Sequence, residues 1–173
     1  MKLFIHYLHV LLLVLLLPGL KINAQQKNAG TEESIASIRT EFKRINASAL
    51  STEEFQYDSA GCVDEGVVTY FLENQAIVKI VESGAIGDGS WTREFYYQSG
   101  KFIFCYEEIV GGPAEGPETK TAFRTYVKDD KVIRFMDDKK IVPANSKATG
   151  QVSTAYKLLK AYRTKDFAKV LCE

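Results

Sequence analysis

The sequence predicts an α+β domain: an N-terminal helix, a six-stranded antiparallel meander built from three related hairpins, and a C-terminal helix packed on the sheet. Three observations carry that expectation. Apolar residues recur at helical spacing near both ends of the chain, at Ile35, Ile38, Phe42 and Ile45 and again at Ala155, Leu158, Leu159 and Tyr162. Between them, short runs rich in β-branched and aromatic residues alternate with turn residues. Three of the resulting hairpins align with one another as variants of a single unit.

The chain opens on Lys2 ahead of an apolar run from Leu8 to Leu17, followed by Pro18-Gly19 and by Ile22 and Ala24. That order suits a secretory signal peptide over residues 1–24, cleaved after Ala24. The apolar run falls well short of the roughly 20 residues that span a bilayer, so no stable membrane insertion is expected once it is removed. Residues 25–173 are then one α+β domain with a periplasmic or secreted location. Both histidines, His6 and His9, lie inside the leader, and so do Lys2 and Lys21. The mature chain is therefore slightly acidic and has no histidine, which excludes a Ser-His-Asp triad and a Cys-His pair. With 22 basic and 22 acidic side chains overall, nothing favours nucleic acid as a partner.

The first helix is expected over Thr31 to Asn46, after a polar lead-in from Gln25 to Gly30, with Thr31 as N-cap and Glu32 and Glu33 in the first turn. Strands follow at Val67–Leu72, Ala76–Glu82, Trp91–Tyr97, Lys101–Ile109, Thr121–Val127 and Lys131–Asp137. Glu73-Asn74-Gln75, Gln98-Ser99-Gly100 and Lys128-Asp129-Asp130 are short enough to close hairpins. Ser83 to Ser90 and Val110 to Lys120, rich in glycine and with prolines in the second, read as longer loops. The second helix is expected at about Ser153 to Leu171, with Phe167 extending its buried stripe and Lys157, Lys160, Arg163, Lys165 and Lys169 on a solvated face.

The repeat runs Thr69 to Val78, Glu94 to Ile103 and Arg124 to Ile133. It places Phe71, Tyr96 and Tyr126 in one column and Lys79, Phe104 and Arg134 in another. A hairpin of this size cannot bury its own apolar face, so the three are expected side by side in one sheet. Aromatic and aliphatic residues fall on both faces of these strands, so both faces need cover, and the two helices are the elements available to supply it.

Chemistry-bearing groups are few. Cys62, Cys105 and Cys172 allow one disulfide and one remaining thiol, with the pairing open; Cys105, inside an apolar strand, is either a buried thiol or bridged to Cys62. No metal-ligand spacing occurs and no cofactor motif is present, since the glycine-rich stretch Gly84 to Ser90 lacks the lysine of a phosphate loop. Carboxylates that could act as acid and base are Glu94 and Glu107 on adjacent strands, Glu108, and Asp64-Glu65. Asn46-Ala47-Ser48 matches a glycosylation sequon at a helix end. The aromatic residues are the richest candidates for recognition: Tyr96, Tyr126, Phe71 and Trp91, with Arg134 beside them, are expected to present large apolar area with polar tips to a protein or small-molecule ligand.

The pattern Tyr-Tyr-Gln-Ser-Gly-Lys-Phe at Tyr96 to Phe102, echoed at Tyr126 to Val132, resembles the hairpins of small exported Bacteroidetes-type proteins of unassigned function, and loosely those of MORN-variant repeat proteins. The resemblance spans about residues 66–137. It implies an antiparallel hairpin sheet and a cell-envelope setting, and transfers no catalytic residue. The expected function is an exported non-enzymatic binding module that uses the aromatic sheet face or the two longer loops. The alternative is a small carboxylate-dependent hydrolase or a hydrolase inhibitor.

Overall fold

In a computed structural model, residues 19–112 and 116–173 are described. Most of the expected leader, residues 1–18, and Pro113 lie outside them. The chain divides into two units between Ser37 and Ile38. In the first, the described residues form the N-terminal part of helix α1 (Gly19–Ala47). The second, Ile38–Glu173, holds the end of α1, eight strands and two further helices.

The strands are β1 (Ser51–Ser59), β2 (Val63–Glu73), β3 (Ala76–Ile86), β4 (Gly89–Gln98), β5 (Lys101–Gly111), β6 (Thr119–Lys128), β7 (Lys131–Asp137) and β8 (Lys140–Val142), followed by α2 (Ser146–Thr164) and α3 (Phe167–Cys172). They form one open antiparallel sheet in which each strand pairs with its neighbours in sequence. The six expected strands are β2 to β7. The two additional ones are edges: β1 carries only Phe55 and Tyr57 as apolar signal among acids and polar residues, and β8 is three residues long. Acidic, solvated edges oppose pairing with other chains, which is why β1 does not read as a core strand.

The three central hairpins turn through pairs of residues with positive φ, Asn74-Gln75, Ser99-Gly100 and Asp129-Asp130. Those angles suit the twist of the flanking strands. Each hairpin also shifts register at the same place, after Phe71, Tyr96 and Tyr126, leaving Val78, Ile103 and Ile133 as the extra residue of a bulge. The repeat is therefore one of backbone geometry as well as of side chains. Its two expected columns interleave into a single row across the sheet, Phe71–Lys79–Tyr96–Phe104–Tyr126–Arg134, each residue opposite the next.

Two expectations are corrected here. The helix runs through Gln25 to Gly30, and Thr31 is not its cap; once a helix is nucleated, each further residue adds a hydrogen bond at little cost, and only Gly30 in that stretch opposes it. Ser83 to Ser90 is not a long loop, because β3 reaches Ile86 and β4 starts at Gly89, turning at Gly87 with φ of +53°. The glycine at 84 serves packing rather than flexibility: the Trp91 ring lies on it, and a Cβ there would sit 2.4 Å from Trp91 Cζ2. Gly66 provides the same bed for Tyr57, again 2.4 Å from a ring carbon. Gly84→Ala is expected to cost about 1–3 kcal/mol by overpacking, read as a lower urea midpoint at unchanged slope.

Both faces are covered within the second unit. The end of α1 lies on one face through Phe42, whose ring is 4.9 Å from Tyr96 and 5.5 Å from Phe104. On the other face α2, capped by Asn145 Oδ1 accepting from Ala148 N–H at 3.2 Å, buries Ala148, Gln151, Ala155, Leu158 and Ala161. Tyr70 and Tyr97 hydroxyls rise from the sheet and donate to the carbonyls of Leu158 and Ala155 at 2.8 and 2.9 Å. The expected second helix is two helices, broken at Lys165, whose φ is +59°. Its ammonium sits 3.9 Å from the centre of the Phe55 ring and 3.8 Å from that of Tyr162, which accounts for a lysine where glycine is usual.

Candidate ligand groove

On the α1 face, the row beneath the helix is largely engaged with it. Tyr96 and Tyr126 are 0 % and 5 % exposed, so they are covered by the helix rather than presented to solvent. Tyr96 Oη accepts from Asn46 Nδ2 at 3.0 Å and donates to Glu94, whose carboxylate is also paired with Lys79 Nζ at 2.7 Å. Lys79 lies over the Phe71 and Tyr96 rings and donates to Asn46 Oδ1. The Asn46 amide is thus built into the sheet contact. Burial and the hydrogen bond to Glu94 together raise the Tyr96 hydroxyl well above its usual pKa.

Beyond Phe42 this contact opens into a groove of about 370 Å³. Its floor is Phe104, Tyr106 and Tyr126, from β5 and β6, with Phe104 and Tyr126 rings 4.9 Å apart. Ile38 and Phe42 form its helical wall, and Arg39, Lys43, Arg124 and Glu94 its rim. Arg39 lies over the Tyr126 ring at 5.7 Å, and Arg124 over Tyr106 at 5.1 Å. An apolar cleft with a few charged groups at its edge is the ordinary form of a small-molecule site. Of the sequence candidates, Tyr126 among the recognition residues and Glu94 among the carboxylates line it. Arg39 and Lys43 read in sequence as solvated helix surface; their spacing of four, beside the stripe of Ile38 and Phe42, is the signal that marks them.

The remaining candidates are placed elsewhere. Arg134 stands opposite Tyr126 on β7. Trp91 is on the α2 face, where its Nε1–H donates to Glu82 Oε1 at 2.8 Å, as does Tyr57 Oη at 2.7 Å. Glu94 and Glu107 lie on opposite faces, since Glu94 pairs with Tyr106 and Arg93 with Glu107. Glu107 and Glu82, both 1 % exposed, flank Arg93 instead. Arg93 donates to Glu107 Oε1 at 2.8 Å and to Glu82 Oε2 at 3.2 Å, while Lys147 and Gln151 of α2 donate to Glu107 Oε2 at 2.9 and 2.8 Å. Burial raises the Glu107 carboxyl and the Arg93 and Lys147 hydrogen bonds and charges lower it, leaving it below the usual carboxylate range. Glu108 is paired with Lys120, and Asp64 accepts from the Gly87 amide. Among the described residues no buried side-chain polar atom lacks a partner.

Cys62 and Cys172 form the disulfide, and Cys105 is a buried thiol. Among the described residues there is no cluster of potential metal ligands and no helix long and apolar enough to cross a membrane. Comparison with protein-family models, curated proteins and solved structures finds no match.

Proposed function

We propose that the protein is an exported, non-enzymatic binding module that takes a small apolar molecule in the groove between α1 and strands β4–β6. The groove itself carries the reading: about 370 Å³ of space over an aromatic floor, walled by a helix and rimmed by charge. It replaces the flat aromatic face as the binding surface, because the helix covers Tyr96. Export is supported by the leader and by the Cys62–Cys172 disulfide, which persists in oxidising compartments. A carboxylate hydrolase has less support. Its candidate acids are divided between the two faces, and the buried pair is saturated by Arg93, Lys147, Gln151, Trp91 and Tyr57.

The test is methyl NMR during titration with 2-naphthylmethanol, a neutral apolar probe. The Ile38 methyls are expected to shift progressively, while those of Ile80, fully buried on the α2 face, stay in place. Unmoved Ile38 methyls at probe saturation of solubility would remove the groove as a binding site.

A further inference from the structure

We infer that the ligand of this groove carries an anionic oxyacid group, a carboxylate in the simplest case, on its apolar body. The inference rests on the groove reading above and adds the charge of the ligand. Three of the four charged side chains lining the groove are cations: Arg39, Lys43 and Arg124. The fourth, Glu94, already has an ammonium partner outside the lining, Lys79 at 2.7 Å, and accepts the Tyr96 hydroxyl as well. Its charge is spent on the sheet contact beneath the helix and does not balance Lys43 and Arg124.

The next acid along the face, Glu108, is likewise matched by Lys120 at 3.3 Å. Arg124 is held by a backbone acceptor, the Asp138 carbonyl at 2.9 Å, and by the Tyr106 ring, neither of which carries a formal charge. A guanidinium positioned in this way keeps further N–H groups to meet an oxyacid. Lys43, one turn from Arg39 on the exposed side of α1, adds a second cation at the rim. Tyr126 Oη accepts from Arg39 Nε at 3.5 Å, which leaves the phenol proton to donate. The site therefore offers donors and positive charge at its mouth and rings at its floor. A neutral ligand would use only the rings; a cationic one would meet the like charges of Arg124 and Lys43 at the mouth.

The experiment compares octanoate, octanol and octylamine by isothermal titration at pH 7 and low salt, with Ile38 methyl shifts recorded for each. Octanoate is expected to bind at least tenfold more tightly than octanol, and octylamine more weakly than either. Added salt is expected to narrow the octanoate advantage. In Lys43→Gln with Arg124→Gln the octanoate and octanol affinities are expected to converge, with octanol binding retained; Lys43→Gln alone, at an exposed helix position, is expected to lose part of the difference without affecting folding. Equal affinities of octanoate and octanol in the wild type, with Ile38 shifted by both, would overturn the anionic group and leave the groove standing. No Ile38 shift with any of the three would overturn the groove reading itself.

Discussion

Replacing Arg93 with methionine is expected to cost the fold about 3–5 kcal/mol, against a total stability of about 5–15 kcal/mol for a domain of ordinary size. The guanidinium stands between Glu82 and Glu107, both 1 % exposed, and hydrogen-bonds to each. Without it, Glu82 keeps the neutral donors Tyr57 and Trp91 but no cation, and Glu107 keeps one cation, Lys147, with the neutral donor Gln151. An unpaired buried charge is the expensive outcome, whereas removal of the whole set is not. Arg93→Met combined with Glu82→Gln and Glu107→Gln is therefore expected to recover at least half of the loss. Urea unfolding at pH 7 measures both, and a loss below about 1 kcal/mol in the single variant would place it among ordinary surface changes.

The same network makes stability depend on acid. The Glu107 carboxyl is held below its usual range when folded, while in the unfolded chain it titrates near about 4.3. Its contribution is thus complete above that value and is lost as pH falls through the lower folded pKa. Between pH 5 and pH 2 the wild type is expected to lose more stability than Glu107→Gln, with the two curves parallel above pH 6.

Much of this architecture is legible in the sequence because local chemistry and global packing agree. The hairpins at Asn74-Gln75, Ser99-Gly100 and Asp129-Asp130 announce themselves through turn residues that tolerate positive φ, and the alignment of Phe71, Tyr96 and Tyr126 foretells a row across one sheet. The edges are illegible for an opposite reason. β1 is mostly solvated and borrows its pairing from β2, so Phe55 and Tyr57 are too sparse a pattern to mark it. Gly84 misleads because a glycine that makes room for a ring and a glycine that turns the chain look alike in one sequence. The groove is harder still. Which of Ile38, Phe42, Phe104 and Tyr126 are fully packed and which border empty space depends on where α1 ends over the sheet, a distance that no periodicity encodes.

Loss of the Cys62–Cys172 disulfide is the other change expected to be large. The bridge joins the turn after β1 to the last residue of α3 across a sequence separation of 110. Closing so long a loop in the unfolded chain is worth about 4–5 kcal/mol in the chain-entropy account, and about 2–5 kcal/mol is the usual measured loss for small secreted domains. Cys62→Ser with Cys172→Ser is expected to fall in that range by denaturant titration. Its first consequence is local. A helix of six residues does not hold in water on its own, and α3 is tied otherwise by an exposed hydrogen bond from Lys157 Nζ to the Val170 carbonyl at 3.2 Å and by packing, chiefly through Phe167, whose ring lies 5.6 Å from Phe55 and 6.2 Å from both Tyr57 and Tyr70. In the double serine variant the amides of Lys169 to Leu171 are therefore expected to exchange with solvent much faster, relative to those of β4 and β5, than in the oxidised protein. Protection of α3 in that variant unchanged from the oxidised protein would show that Phe167 and the Lys157 hydrogen bond are a sufficient anchor. The bridge would then act on the unfolded chain and not on the helix it terminates.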